Sequence, residues 1–122
     1  MSLPEGARPR CLIVEDQALI AMAIEAYLED MGYRIGGPFG SRSEALAYLE
    51  RDTPEVAILD YMLGDGPTSD LAEELKRRGI PFVVYSGRSR DAAVSPAFAG
   101  VPWLEKPVDR SELVSAITSA QA

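Results

Sequence analysis

The sequence contains no histidine, a single cysteine and no long hydrophobic run, and each shortage excludes a class of protein. Without histidine, no imidazole base can activate a nucleophile and no imidazole can bind a metal. With Cys11 alone, no intrachain disulfide can form, which is typical of a protein in the reducing cytosol. Cys11 opens an apolar run, so we expect a buried, inert thiol. The longest apolar stretch, residues 19–24, is far too short to span a bilayer.

The charge balance also limits the partners. A net charge of −7 argues against a nucleic-acid surface, because binding phosphates needs clustered Lys and Arg. At 122 residues the chain is long enough for one domain with its own core. Residues 1–9 have no hydrophobic centre and are not a signal peptide, so we expect a flexible N-terminal arm, a folded domain at residues 10–122 and a cytoplasmic location.

The hydrophobic pattern alternates between short strands and amphipathic helices. The apolar run at 56–59 is typical of a strand buried on both faces, and it ends at Asp60. We expect similar strands at 12–14, 33–35, 82–85 and 101–104, with helices of three-and-four spacing after them. Five such repeats predict an α/β fold with a doubly wound sheet.

Capping and turn residues predict several boundaries. Ser41 and Glu44 have the spacing of a capping box at the second helix, and Asp109 and Glu112 have it at the last one. We also expect Gly36-Gly37-Pro38 to end the second strand, residues 62–67 to form a loop, Thr68 or Ser69 to cap the third helix, and Pro96 to cut short a fourth helix over residues 91–98.

Polar residues follow four of the strands directly, namely Glu15, Asp16, Asp60, Ser86 and Lys106. Because the carboxyl ends of parallel strands meet at one edge of a sheet, we expect these side chains to converge. Clustered carboxylates repel one another unless a cation lies among them, and carboxylate oxygens suit Mg²⁺. An ammonium and a hydroxyl beside them could receive a phosphoryl group. The pattern therefore predicts a carboxylate nucleophile that accepts phosphate.

Taken in order, these motifs resemble the receiver domain of bacterial two-component response regulators. The resemblance rests on the acidic pair at 15–16, the strand ending in Asp60, Ser86-Gly87 and Lys106-Pro107, and it covers roughly residues 10–120. It implies a flavodoxin-like (βα)5 fold whose five-stranded parallel sheet has the strand order 2-1-3-4-5.

The resemblance also implies a role for each residue. Asp60 would be the phosphoacceptor, receiving its phosphoryl group from a histidine kinase or a histidine phosphotransfer protein. Asp16 and Asp60 would bind Mg²⁺ directly, together with the backbone carbonyl of Met62, and Glu15 would act through a metal-bound water. Lys106 would pair with the phosphoryl oxygens.

A switch is implied as well. Ser86 would hydrogen-bond the phosphoryl group and move inward, leaving space for Trp103, which stands where the family more often has Tyr or Phe. The loop after the fourth strand and a protein-binding face would change with it. The bond between Lys106 and Pro107 would be cis. We expect a downstream protein target, no nucleic-acid or membrane partner, and a monomer or weak homodimer, either stand-alone or cut from a longer chain.

Two other functions stay open. Asp60 could serve a phosphatase or phosphotransferase acting on small substrates, although such enzymes need a second acid two residues after the nucleophile, where this chain has Met62. The chain could instead be a receiver-like scaffold that works without phosphorylation, against which the intact site residues speak. The leading interpretation is a module that catalyses only its own phosphorylation and slow dephosphorylation, and is otherwise not an enzyme.

Met62 predicts a long-lived phosphoryl group. Met62 and Arg88 occupy positions that, in the family, influence how water reaches the acyl phosphate. An apolar Met62 cannot orient a water, so we expect slow self-hydrolysis. The lifetime of the phosphoryl group on the isolated domain measures this directly, and rapid loss would contradict it.

Overall fold

Strands and helices alternate through the computed structural model, which describes residues 8–90 and 95–121. Its strands are β1 (Arg10–Val14), β2 (Arg34–Phe39), β3 (Val56–Leu59), β4 (Met62–Leu63), β5 (Gly66–Pro67), β6 (Phe82–Ser86) and β7 (Trp103–Glu105). Its α-helices are α1 (Ala18–Asp30), α2 (Arg42–Arg51), α3 (Ser69–Arg77) and α4 (Arg110–Gln121), and a short 3₁₀ helix covers Pro96–Phe98. None of these helices is long and apolar enough to cross a bilayer.

The main sheet has five parallel strands in the order β2-β1-β3-β6-β7. Strands β4 and β5 pair only with each other, so β6 and β7 are the fourth and fifth strands of the main sheet, and the predicted order 2-1-3-4-5 is confirmed. Val14 lies opposite Leu59, and Leu59 lies opposite Val84. The carboxyl ends of the three central strands are therefore nearly level.

The core lies in two layers, one on each face of the sheet. One layer packs β1 and β3 against α2 and α3 through residues such as Leu12, Leu59 and Leu71. The other packs the alternate residues of the same strands against α1 and α4, with Cys11 and Ile58 among them. Alternate residues face opposite layers, so a strand covered on both faces needs an unbroken apolar run.

Cys11 is completely buried and free, as predicted from its place in an apolar strand. Burial raises the pKa of its thiol to about 12. Almost none of the thiol is ionised at neutral pH, and the thiolate is the reactive form. Cys11 is therefore an inert core residue.

The second strand is longer than predicted. Gly36-Gly37-Pro38 does not end it, because β2 continues to Phe39 through an irregularity in its pairing with β1. Gly37 has a φ of +95°, which favours glycine, and Gly36 lies against Tyr48 of α2. Gly36 thus allows a close approach between strand and helix, and the prediction that the strand ends at residues 36–38 is wrong.

The structure tests three predicted helix caps. Ser41 accepts a hydrogen bond from the Glu44 amide at 3.2 Å, and Asp109 accepts one from the Glu112 amide at 2.8 Å, so both caps are confirmed. Thr68 is the N-cap residue of α3, but its side chain makes no capping hydrogen bond.

Three further segments differ from the predictions. Residues 62–67 form the two-stranded hairpin β4–β5 instead of a loop. The last strand covers Trp103–Glu105 rather than 101–104. Of the predicted helix at 91–98, residues 91–94 lie outside the described residues, and the 3₁₀ helix begins at Pro96.

The predicted arm at residues 1–9 lies largely outside the described residues. Of its two described residues, Pro9 accepts a hydrogen bond from the Arg34 amide at 2.8 Å through its carbonyl. The carbonyl of Arg8 accepts another from Arg34 Nε at 3.2 Å.

The packing at Gly36 predicts a stability cost for a side chain there. A Cβ at this position would lie 2.6 Å from the Tyr48 hydroxyl oxygen, so Gly36→Ala must displace a buried ring. Overpacking of this kind costs about 1–3 kcal/mol. Chemical denaturation should show that loss, whereas Gly87→Ala, whose Cβ meets nothing within 4 Å, should leave stability nearly unchanged. Equal stability of the two variants would contradict the packing argument.

Candidate functional site

The polar residues that follow the strands come together at the carboxyl edge of the sheet. Strand β1 runs into Glu15 and Asp16, and β3 runs into Asp60, whose amide donates to the Val14 carbonyl at 2.9 Å. Strand β6 ends at Ser86, whose carbonyl accepts a hydrogen bond from the Lys106 amide at 2.7 Å. Backbone pairing therefore carries these side chains to one place. Three of them are almost fully buried, namely Glu15, Asp60 and Ser86.

The ammonium of Lys106 is the centre of the site. Its Nζ lies 2.7 Å from Glu15 Oε1 and 2.9 Å from Asp60 Oδ2, and it donates to Gln17 Oε1 at 2.9 Å. It also lies 5.7 Å from the centre of the Tyr85 ring. Only 11% of the Lys106 side chain is exposed, so these contacts replace most of its hydration. One cation thus bridges the ends of β1 and β3.

Burial and charge shift two pKa values at this site. Burial alone would lower the pKa of Lys106, but its hydrogen bonds to Glu15 and Asp60 outweigh burial, and the pKa is raised. Burial raises the pKa of Glu15, and the nearby charge of Asp60 adds to the rise, although the hydrogen bonds from Lys106 and the Gln17 amide oppose it. Lys106 is therefore charged at every physiological pH.

Glu15, Asp16 and Asp60 could together hold a metal ion. Each offers one carboxylate oxygen, and these oxygens lie within 4.8 Å of one another. Both oxygens of Glu15 are engaged, one by Lys106 and the other by the Gln17 amide at 3.0 Å. Asp16 Oδ2 accepts from the Gly64 amide at 3.1 Å, which leaves its Oδ1 available.

These contacts fit Mg²⁺ in particular. It takes oxygen ligands, keeps several waters and needs only one or two carboxylates directly. From the described residues, Asp60 Oδ1 accepts only a long hydrogen bond, 3.4 Å from the Met62 amide, so this oxygen is available as well. Asp16 and Asp60 can therefore bind the ion directly, while Glu15, with both oxygens occupied, suits contact through water.

Ser86 and Trp103 both contact the backbone of Arg88. The Ser86 hydroxyl oxygen accepts from the Arg88 amide at 3.2 Å, and Trp103 Nε1 donates to the Arg88 carbonyl at 2.8 Å. The Trp103 ring also lies 5.3 Å from the Tyr61 ring, and the Arg90 guanidinium lies 5.3 Å from the centre of the Trp103 ring. The hydroxyl and the indole are thus joined through a single residue of the loop after β6.

Two further residues named in the sequence analysis are Met62 and Pro107. The Met62 side chain is exposed beside the site, and the peptide bond between Lys106 and Pro107 is cis.

Sequence reasoning missed two residues that hold the site together. Gln17 binds Lys106 through its side chain and Glu15 through its amide, and its place next to the acidic pair was the available signal. Thr68 is fully buried, and its hydroxyl donates to the Asp60 carbonyl at 2.8 Å. No sequence signal marks that contact, because it depends on how the hairpin folds back on the end of β3.

Removing the central cation should destabilise the fold. Lys106→Met leaves two buried carboxylates without their shared cation, and breaking a buried ion pair in this way costs about 3–5 kcal/mol. Chemical denaturation at pH 7 measures this loss.

The matched control is Lys76→Met, which removes an exposed ammonium that hydrogen-bonds the Ala99 carbonyl. The deficit of Lys106→Met should shrink as the pH falls through the raised pKa of Glu15, because a protonated carboxyl no longer needs the cation. The pKa of Lys106 is raised in the folded protein, so Lys106 stabilises the fold fully below the ordinary lysine pKa. This stabilisation is lost as the pH rises through the folded-state pKa. Equal stability of the two Lys→Met variants at pH 7 would contradict the bridging role.

Several known proteins are similar to this chain in sequence. It is 36% identical over 114 residues to the transcriptional regulatory protein PdtaR of Mycobacterium tuberculosis, covering 91% of this chain and 56% of that protein. The chain thus spans about half the length of the curated relatives it matches.

Two solved structures match nearly the whole chain. SdrG from Sphingomonas melonis is 35% identical, covers 98% of both chains and has a TM-score of 0.79. A CheY-like response regulator receiver domain protein from Methanospirillum hungatei is 27% identical, covers 94% of both chains and has a TM-score of 0.84.

A family model for the response regulator receiver domain matches residues 11–118. This range contains all the strand-end residues that converge on Lys106. The order of the strands, the convergence at their carboxyl edge and the family match agree, and the chain belongs to the response regulator receiver domain family.

Proposed function

We propose that the chain is a phosphorylation-controlled signalling module. Asp60 accepts a phosphoryl group from a histidine kinase or a histidine phosphotransfer protein in a Mg²⁺-dependent reaction. The observation that carries this proposal is the position of Lys106 Nζ, 2.9 Å from Asp60 Oδ2, beside the carboxylates of Glu15 and Asp16. A nucleophilic carboxylate, a fixed cation and a metal-binding pair are the groups that this transfer requires.

The transfer exchanges one bond to phosphorus for another. A carboxylate oxygen of Asp60 attacks the phosphorus, and the bond from phosphorus to the donor's histidine nitrogen breaks. That nitrogen keeps the electron pair while the other ring nitrogen carries a proton, so the donor leaves as neutral imidazole and Asp60 becomes an acyl phosphate. Lys106 moves its hydrogen bonds from the carboxylates to a phosphoryl oxygen, which it can do without changing its own protonation.

Asp16, Asp60 and the backbone carbonyl of Met62 would hold Mg²⁺ directly, with Glu15 acting through water. When bound, the ion offsets the negative charge that would otherwise keep the phosphoryl group away from the carboxylates. Gln17 keeps Lys106 and Glu15 in place on the other side of the site through its two hydrogen bonds.

The switch follows from the contacts of Arg88. Turning the Ser86 hydroxyl toward a phosphoryl oxygen would carry it away from the Arg88 amide, and this would move the residue whose carbonyl holds Trp103. Hydrogen bonds to charged groups contribute about 1.5–3 kcal/mol each. Two of them, from Ser86 and Lys106, approach the roughly 5.5 kcal/mol needed to shift a two-state domain from 1:99 to 99:1.

The output is contact with a downstream protein. The loop after β6 and the surface around Trp103 change with Ser86, so a protein that binds this surface would distinguish the two states. We place the module in the cytoplasm, as a monomer or weak homodimer, catalysing only its own phosphorylation and a slow dephosphorylation. An enzyme acting on small substrates is disfavoured because Met62, two residues after Asp60, offers no second acid.

Incubation with Mg²⁺ and a small phosphodonor, followed by intact-mass measurement, tests the function. We expect one phosphoryl addition on the unaltered protein and none on Asp60→Asn, because the amide is not a nucleophile. The same addition on Asp60→Asn would contradict the assignment of the phosphoacceptor. Steady turnover of the donor, without an accumulating adduct, would favour the enzyme, and no reaction at all would favour the scaffold.

A further inference from the structure

The hairpin β4–β5 touches the site at two points. It begins two residues after Asp60, and Gly64 and Asp65 form its turn. Near its start the Met62 amide lies 3.4 Å from Asp60 Oδ1, and at its tip the Gly64 amide donates to Asp16 Oδ2 at 3.1 Å. A backbone amide of the hairpin therefore holds one of the two candidate metal ligands.

The tip of the hairpin is fastened to the start of α2. The Arg42 amide lies 3.2 Å from Asp65 Oδ1 and 3.1 Å from Oδ2. Arg42 Nε lies 3.7 Å from Asp65 Oδ1, too far for a hydrogen bond but close enough for charge attraction. The same guanidinium donates to Asp70 of α3 at 3.0 Å. Arg42 thus joins the hairpin, α2 and α3.

The base of the hairpin is held separately. Thr68 is fully buried, and its hydroxyl donates to the carbonyls of Asp60 and Tyr61 at 2.8 and 3.1 Å. The tip, by contrast, is exposed at Gly64 and Asp65. Because the base does not depend on Arg42, a change at Asp65 should move the tip while Asp60 stays in place.

We propose that the contact between Asp65 and Arg42 positions the hairpin tip so that the Gly64 amide orients Asp16 for Mg²⁺. Asp65 and Arg42 are positioning residues, which act on the metal through Gly64 and Asp16. This inference rests on the proposed function, because it assigns Asp16 to the metal.

Asp16 differs from the other two carboxylates in its exposure. Its side chain is exposed, whereas those of Glu15 and Asp60 are buried, so packing does not fix its rotamer. The hydrogen bond from Gly64 removes that freedom by holding Oδ2, which leaves Oδ1 for the ion. The hydrogen bond from the Arg42 amide lowers the pKa of Asp65, so the fastening carboxylate is charged at neutral pH. Groups that orient metal ligands typically change metal affinity by about 10–100-fold.

Three variants separate positioning from general stability. Asp65→Ala removes the fastening carboxylate and should weaken Mg²⁺ binding about tenfold, the lower end of that range, because only one ligand is affected. Asp65→Asn keeps an acceptor oxygen for the Arg42 amide and should lose less. Asp70→Asn, the matched control, removes the other carboxylate on Arg42 without touching the tip, and should bind Mg²⁺ like the unaltered protein.

Calorimetric titration with Mg²⁺ gives the affinities, and the amide chemical shift of Gly64 in metal-free protein reports whether its hydrogen bond persists. We expect that shift to move in Asp65→Ala and to stay in Asp70→Asn, with thermal midpoints measured on the same samples. Asp65→Ala binding Mg²⁺ as tightly as the unaltered protein would overturn the inference. If Asp65→Ala does not fold, equal affinities of Asp65→Asn and Asp70→Asn would overturn it equally well.

The same measurements distinguish failure of this inference from failure of the proposed function. Unaltered protein that binds no Mg²⁺ and accepts no phosphoryl group would remove the proposed function and this inference together. Unaltered protein that binds Mg²⁺ and is phosphorylated, beside an Asp65→Ala variant of the same affinity, would remove only the role of the hairpin contact.

Discussion

One ammonium shared by two buried carboxylates is the interaction on which the rest of this structure depends. Lys106 bridges Glu15 and Asp60, and without it these negative charges would lie together with little solvent to screen them. The charges of the site are not balanced, since it carries three carboxylates for one ammonium. In the proposed function, that excess of negative charge would favour binding of a divalent cation, and the ammonium would pair with a phosphoryl group.

The geometry of the sheet brings these charged residues together. Because β1 and β3 are paired in register, their carboxyl ends lie level and present acids from distant parts of the chain to one another. Strand β7 then delivers Lys106 from the far edge of the sheet. The residues around this centre act as supports: Gln17 holds the cation, Thr68 holds the end of β3, and the Arg88 backbone connects Ser86 to Trp103.

Sequence reasoning was most successful for features that depend only on the hydrophobic period and on the order of the strands. Apolar runs that end in polar residues locate the strand ends, and parallel pairing brings them together, so the convergence on Lys106 followed from the sequence. Contacts between loops did not follow. Nothing in the sequence indicates that the Gly64 amide reaches Asp16, that Arg42 fastens Asp65, or that residues 62–67 pair as a hairpin.

The prediction that the second strand ends at the glycine-rich residues 36–38 failed for a physical reason. The same residues that mark turns also allow close contact between a strand and a helix, and only the neighbouring Tyr48 decides which applies. The hydroxyl of Thr68 shows the same limit, since capping residues are also used to satisfy buried carbonyls, and burial is not visible in the sequence.

NMR titration of the Lys106 ammonium shows whether this group is held between Glu15 and Asp60. We expect a pKa for Lys106 above the ordinary lysine value in the unaltered protein, and a fall in that pKa in Asp60→Asn, because one of the two stabilising charges is lost. An ordinary lysine pKa that does not respond to Asp60→Asn would show that the ammonium is not shared, and would contradict the account of the site.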